Sequence, residues 1–368
     1  MSENAVLDVE LEILSAKDIA AGDYFNMKAA LKGCVASSDA YALIEVADQR
    51  VAWTRPILNT LEPVWNEKFY FKNVKPDTLC TLYLLDEDMD GDDALGQTHF
   101  SATNTDNTET TFELPITRND TEAGTIVVKV KSHMTSVIGD GKLQQVGPVH
   151  FSIHVSITSG LLTQNMTEDG KLQASAYHLQ MHNISQIMPN DHEWNKNYPT
   201  IQKIFSPDHV ESPALRTAIV TEHAVIYRHG ATTQYGQLED GSDFFKLINY
   251  GQRSDKPVLF TYAITSTGWY FSETGASFFK DMLSKHMLHA NAAFSVKYAG
   301  EFHIKKEHCG RYKLLIDNNS GTYAPPKEDL PKLKELFENN FAGISVEAKD
   351  RNDEELKRSR QEILDSWA

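Results

Sequence analysis

Between residues 6 and 131 apolar and polar positions alternate in short runs: VLDVELEIL, YALIEVA, RVAWT, KFYF, LCTLYLL, TTFEL and GTIVVKVK. A period of two puts successive side chains on opposite faces, and β-branched or aromatic residues fill the apolar positions, so each run predicts a strand with one buried face. Turn residues separate the runs, which predicts an antiparallel sandwich. In a sandwich the connections gather at two ends, so residues far apart in sequence meet in space. After residue 147 the pattern changes. PVHFSIHVSI and HAVIYRH read as strands, and GSDFFKLINYGQ as a helix capped by Ser242. PVLFTYAITSTGWYFSETG reads as two strands around Thr267 and Gly268, and SFFKDMLSKHMLHANA as an amphipathic helix. Strands FSVKYAGEFHI and RYKLLID and a helix EDLPKLKELFENNF follow, an α+β layout.

The expected organisation is therefore an all-β domain over residues 1–131, a linker at 132–147 (SHMTSVIGDGKLQQVG), an α+β domain over 148–347, and a charged C-terminal helix over 348–368. In that tail Leu356, Ile363, Leu364 and Trp367 suit packing on the domain or on a protein partner.

Charge is unevenly distributed along the chain. Residues 1–132 hold 11 Lys and Arg against 23 Asp and Glu, while the remainder holds 24 against 28. So acidic a first third excludes general nucleic-acid binding, which needs Lys and Arg for phosphates. Three scattered cysteines, Cys34, Cys80 and Cys309, suit a reducing compartment. The opening MSENAVLDVE is polar and acidic, unlike a signal peptide, and no apolar run approaches the roughly 20 residues of a membrane span. The expected location is the cytoplasm.

Six of the eight residues from 86 to 93, DEDMDGDD, are acidic. Asp86, Asp88, Asp90 and Gly91 fit the opening positions of an EF-hand loop, but Gln97 stands where that loop needs a bidentate Glu, and TLYLL before it reads as strand. A solvated acidic loop and a calcium loop at the end of a sheet are the other readings. The ordered series LEILSAKDI, SSDAYALIEV, NTLEPVWNEKFYF, LYLLDEDMDGDDALG and AGTIVVKVK resembles the C2 domain family over residues 6–131. That resemblance implies an eight-stranded antiparallel sandwich with three calcium-binding loops at one end. It implies Asp39, Asp86, Asp88 and Asp93 as calcium ligands, with Asp23 as the remaining first-loop ligand and Asp18 its substitute. The stretch YFNMKAALKGCVASS makes the first loop longer than the family pattern. Carboxylates supply the hard oxygens calcium takes, six to eight of them, and without a cation five converging aspartates repel one another. Tyr24, Phe25 and Met89 are the candidates for contact with a membrane. The implied partner is an anionic phospholipid membrane, bound peripherally when calcium rises.

The block around residues 258–345, from FTYAITSTGWYF to SGTYAP, resembles a domain of plant IQ-motif calmodulin-binding proteins and bacterial relatives, with Thr322 standing where that pattern has His. No IQ motif occurs. His286 and His289 lie one helical turn apart, and Glu301 and His303 alternate on a strand, so these four make a metal or acid–base set. Ordinary core hydrogen bonding is the alternative for each. Two functions follow as expectations: a calcium-dependent phospholipid-binding protein whose C2 domain recruits a second domain, or an enzyme, hydrolase or transferase, with its active site in 148–347.

Overall fold

The structure is a computed structural model. It describes residues 5–21, 38–88, 92–156, 174–192, 199, 213, 217, 226–274, 296–307, 309–321 and 323–367. The chain divides into two compact units, Met1–Gly147 and Pro148–Ala368.

In the first unit nine strands form one antiparallel sheet: β1 (Ala5–Lys17), β2 (Ala40–Val46), β3 (Gln49–Trp53), β4 (Val64–Val74), β5 (Leu79–Asp86), β6 (Asp93–Ser101), β7 (Thr110–Arg118), β8 (Thr121–Ser136) and β9 (Gln144–Val146). Their order is β3-β2-β5-β6-β7-β8-β1-β4-β9. The β6–β7 pairing consists of one residue pair, Gln97 with Thr117, so the sheet turns there. Leu11 and Ile13 of β1, Phe69 and Phe71 of β4 and Val128 of β8 share one core with Ile44 of β2 and Leu82 and Leu84 of β5. Residues from both halves of the order thus face one another, as in a sandwich. Alternation is what produces this: β5 buries every second side chain from Cys80 to Asp86. Part of the stretch expected as a linker is sheet instead. Residues to Ser136 continue β8 against β1, and β9 pairs with β4, while the Asn73 side chain holds Ile138 and Lys142 by their backbones.

The second unit is built on an eight-stranded sheet, with β10 (Val149–Ser156), β11 (Ala174–Gln180), β12 (Gln234–Leu238), β15 (Phe260–Thr265), β16 (Gly268–Glu273), β17 (Tyr298–Lys306), β18 (Tyr312–Asp317) and β19 (Val346–Lys349). A separate small hairpin joins β13 (Gln252–Arg253) to β14 (Lys256–Pro257). The order is β12-β10-β11-β16-β15-β17-β18-β19, antiparallel except for β18–β19. Among the described residues its α-helices include α1 (Ile184–Ile187), α2 (Gly241–Leu247), α3 (Leu330–Asn340) and α4 (Glu354–Ser366). On one face Tyr262, Trp269, Phe271 and Phe302 pack with Phe244 of α2 and Leu333, Leu336 and Phe337 of α3. The other face is polar, and α4 lies on part of it.

Two local features differ from the sequence expectation. The N-cap of α2 is Asp240, whose Oδ1 accepts from the amides of Ser242 and Asp243, not Ser242 itself. Ile226 and Tyr227, read as strand within HAVIYRH, are helical, and the strand comes later as β12. The helix read at SFFKDMLSKHMLHANA lies outside the described residues.

Candidate functional site

The acidic end of the first unit is assembled by strand register. Ala40 pairs with Asp86 across β2–β5, and Asp86 pairs with Asp93 across β5–β6. Asp39, Asp86 and Asp93 therefore stand at the same end of three neighbouring strands. Asp86 is 2% exposed, and its Oδ1 accepts from the Asp39 amide at 2.5 Å. Asp39 in turn accepts from Glu87 N at its carbonyl, 3.1 Å, and from Asn59 N at Oδ1, 2.7 Å. Asn59 belongs to the β3–β4 connection, which is tied in at two further points: Ile57 N donates to Ala40 O, and Thr60 N to Ser38 O, both 3.0 Å. This third connection carries no acidic cluster, so nothing in the sequence singles out Asn59. Its one signal is an Asn at positive φ, 55°, which that side chain tolerates.

Asp92 organises its loop. Its Oδ1 accepts from Asp88 N at 3.3 Å, and its Oδ2 accepts from the Tyr41 hydroxyl at 2.6 Å. Burial pushes the Tyr41 hydroxyl far above its ordinary pKa, and the bond to Asp92 adds to that. Asp88 is half-buried, whereas Asp92, Asp93 and Asp18 are exposed. Asp23, Tyr24, Phe25, Met89 and Asp90 lie outside the described residues. Among the described residues no group of three or more His, Cys, Asp or Glu is placed to hold a metal ion. Among the described residues Asp39, Asp86, Asp88, Asp92 and Asp93 offer carboxylate oxygens, the kind that suits a hard cation such as calcium.

The second candidate set is only partly described. His286 and His289 lie outside the described residues. Glu301 and His303 do share the polar face of β17, and both are engaged by α4. Arg360 Nε and Nη2 donate to the two Glu301 oxygens at 2.6 and 3.2 Å, and Asn319 Nδ2 donates at 2.8 Å. His303 Nε2 lies 2.7 Å from Ser359 Oγ, and burial lowers its pKa to about 4. Next to Glu301, Asp317 is pushed up to about 7 by burial and by the Glu301 charge. In this arrangement the pair anchors a helix.

A family model described as the C2 domain matches residues 7–116. The first unit contains a C2 domain. C2 domains typically bind membranes or lipids and commonly bind calcium. Solved structures similar to this chain include a C2 domain, 16% identical with TM-score 0.27, covering 34% of this chain and 98% of that one. The human GIVD cytosolic phospholipase A2 is 15% identical with TM-score 0.28, and 42% of this chain matches 19% of its length. A calcium-bound pair of C2 domains from Extended-Synaptotagmin 2 is 15% identical with TM-score 0.27, covering 51% of this chain and 88% of that one. No curated protein matches the chain. Among the described residues no helix is long and apolar enough to cross a membrane.

Proposed function

We propose that this chain is a calcium-dependent phospholipid-binding protein whose C2 domain brings the second unit to membranes. The observation that supports this most is the buried Asp86 carboxylate, bonded to the Asp39 amide with Asp93 opposite it in register. Asp39, Asp86, Asp88 and Asp93, with Asp23, are the proposed ligands. Bound calcium supplies positive charge at a strongly acidic domain end. Each basic charge near an anionic leaflet is worth about 1 kcal/mol, so each divalent ion moves the balance from repulsion towards attraction. Without the ion, the acidic loops are repelled by the same surface.

Sedimentation with phosphatidylserine vesicles, in calcium and in chelator, tests the reading. The protein is expected to pellet only in calcium. Equal pelleting in both conditions, or none in either, removes the proposal.

A further inference from the structure

The polar face of the second sheet also holds a cluster of histidine, serine and tyrosine side chains. His150, Ser152 and His154 alternate along β10 and share that face. Register places Ser152 opposite Tyr235 of β12 on one side and His178 of β11 on the other, and His178 opposite Tyr270 of β16. One row thus runs Tyr235, Ser152, His178, Tyr270 across four strands. His154 stands beside Ser152, with Oγ to Nε2 2.8 Å.

The direction of that bond follows from the ring's other nitrogen. His154 Nδ1 lies 3.2 Å from the carbonyl oxygen of Arg228, which can only accept, so Nδ1 carries a proton. Burial lowers the His154 pKa to about 4, so the ring is neutral at pH 7 and Nε2 keeps its lone pair. The Ser152 hydroxyl is therefore the donor. Hydroxyl, imidazole base and an acceptor behind the base form the sequence that activates a serine.

The surroundings are built around the same point. The His229 ring stands edge-on to His154 at 4.8 Å, and its Nδ1 is 2.7 Å from the Tyr235 hydroxyl. His178 donates from Nε2 to the Thr267 carbonyl at 3.2 Å and stacks on Tyr270 at 4.2 Å. Gly268, at φ +150°, makes room for that ring, because a Cβ there would come 2.5 Å from His178 Nε2. A buried patch of this polarity is costly relative to apolar packing, and such clusters concentrate where chemistry needs them. His229 is also held neutral, its pKa lowered to about 2 by burial first and then by His154 and His178. Two uncharged imidazoles suit an uncharged acyl group better than an anion.

We propose that Ser152 is the nucleophile and His154 the general base of an acyl-transfer site in the second unit, taking a carboxylic ester. Ser152 Oγ bonds to the ester carbonyl carbon as its proton passes to His154 Nε2. The adduct expels the alkoxide, which leaves as the alcohol with that proton. Water then adds to the acyl carbon, giving a proton to Nε2, and the carboxylic acid departs as that proton returns to Ser152. The sum is ester plus water to acid plus alcohol, with no oxidant or reductant. This proposal stands independently of calcium binding.

The test uses the full chain with p-nitrophenyl butyrate as substrate and an alkyl fluorophosphonate as probe, with the adduct mapped by peptide mass spectrometry. The expected result is ester hydrolysis and an adduct on Ser152. Ser152→Ala should abolish the adduct and lower hydrolysis at least about a hundredfold, and His154→Gln should slow both by a similar factor. Should Ser152→Ala fail to fold, the mapped adduct on the native chain decides alone. No adduct on Ser152 in the native chain, or hydrolysis unchanged in a folded Ser152→Ala variant, overturns the proposal.

Discussion

Glu301 is buried in the second unit, and its charge is compensated by Arg360 and Asn319. Removing one partner of a buried pair strands the other charge, which costs about 3 kcal/mol or more. Arg360→Ala should therefore lower stability by about 3 kcal/mol in urea unfolding, whereas Arg358→Ala on the same helix should change it by less than about 0.5 kcal/mol. Equal effects would show that Glu301 does not depend on this guanidinium. Acidic residues of the first unit were legible in the sequence for a related reason. Asp39, Asp86 and Asp93 stand out as acids beside apolar runs, and register then brings them to one end. Asn59 was not legible, because its part is played by a backbone amide. Nor was the Ser152–His154 pair: the strand alternation places both on one face, but the carbonyl that orients His154 lies 74 residues away.

At the scale of elements, the strands most visible in advance were those with strict alternation, such as β1, β5 and β8. β6 was hidden because it begins in the acidic run and continues through Gly96. The helical turn at Ile226 and Tyr227 shows tertiary context overriding β-branched and aromatic propensity. The β2–β3 hairpin is closed by Ala47 and Asp48, both at positive φ (52° and 59°), with Val46 paired to Gln49. Such a two-residue turn favours Asn or Gly, and Ala there carries a Cβ penalty of about 1 kcal/mol. Ala47→Gly should raise the stability of the protein by up to about 1 kcal/mol in chemical denaturation. A loss of that size instead would mean that the turn has a different form in solution.

For the whole molecule, the second unit's buried histidines set the pH response. His154 and His303 are lowered to about 4, His182 to about 3 and His229 to about 2, in each case mainly by burial. Unfolding returns each to its ordinary value near 6.5, so the unfolded chain takes up protons first as pH falls. Their stabilisation is complete above about pH 6.5 and is lost progressively from there towards pH 4 and below. Asp317 acts in the opposite sense. Its pKa, raised to about 7, favours the folded state at low pH and is a cost that grows as pH rises from about 4 to 7. Glu273, also raised by burial, acts with Asp317, and His192, also lowered by burial, acts with the other histidines; the histidines outnumber the acids, so calorimetric melting should occur several degrees lower at pH 5.0 than at pH 7.5. An unchanged or higher melting temperature at pH 5.0 would refute the neutral-histidine account.

Asp39, Asp86, Asp88 and Asp93 are proposed to help hold calcium at one end of the C2 domain. Calorimetric titration of calcium into the full chain and into Asp86→Asn with Asp88→Asn tests it most directly. Saturable heat is expected from the native protein and none from the variant. No binding heat from the native chain at millimolar calcium, or the same isotherm from both, would contradict it.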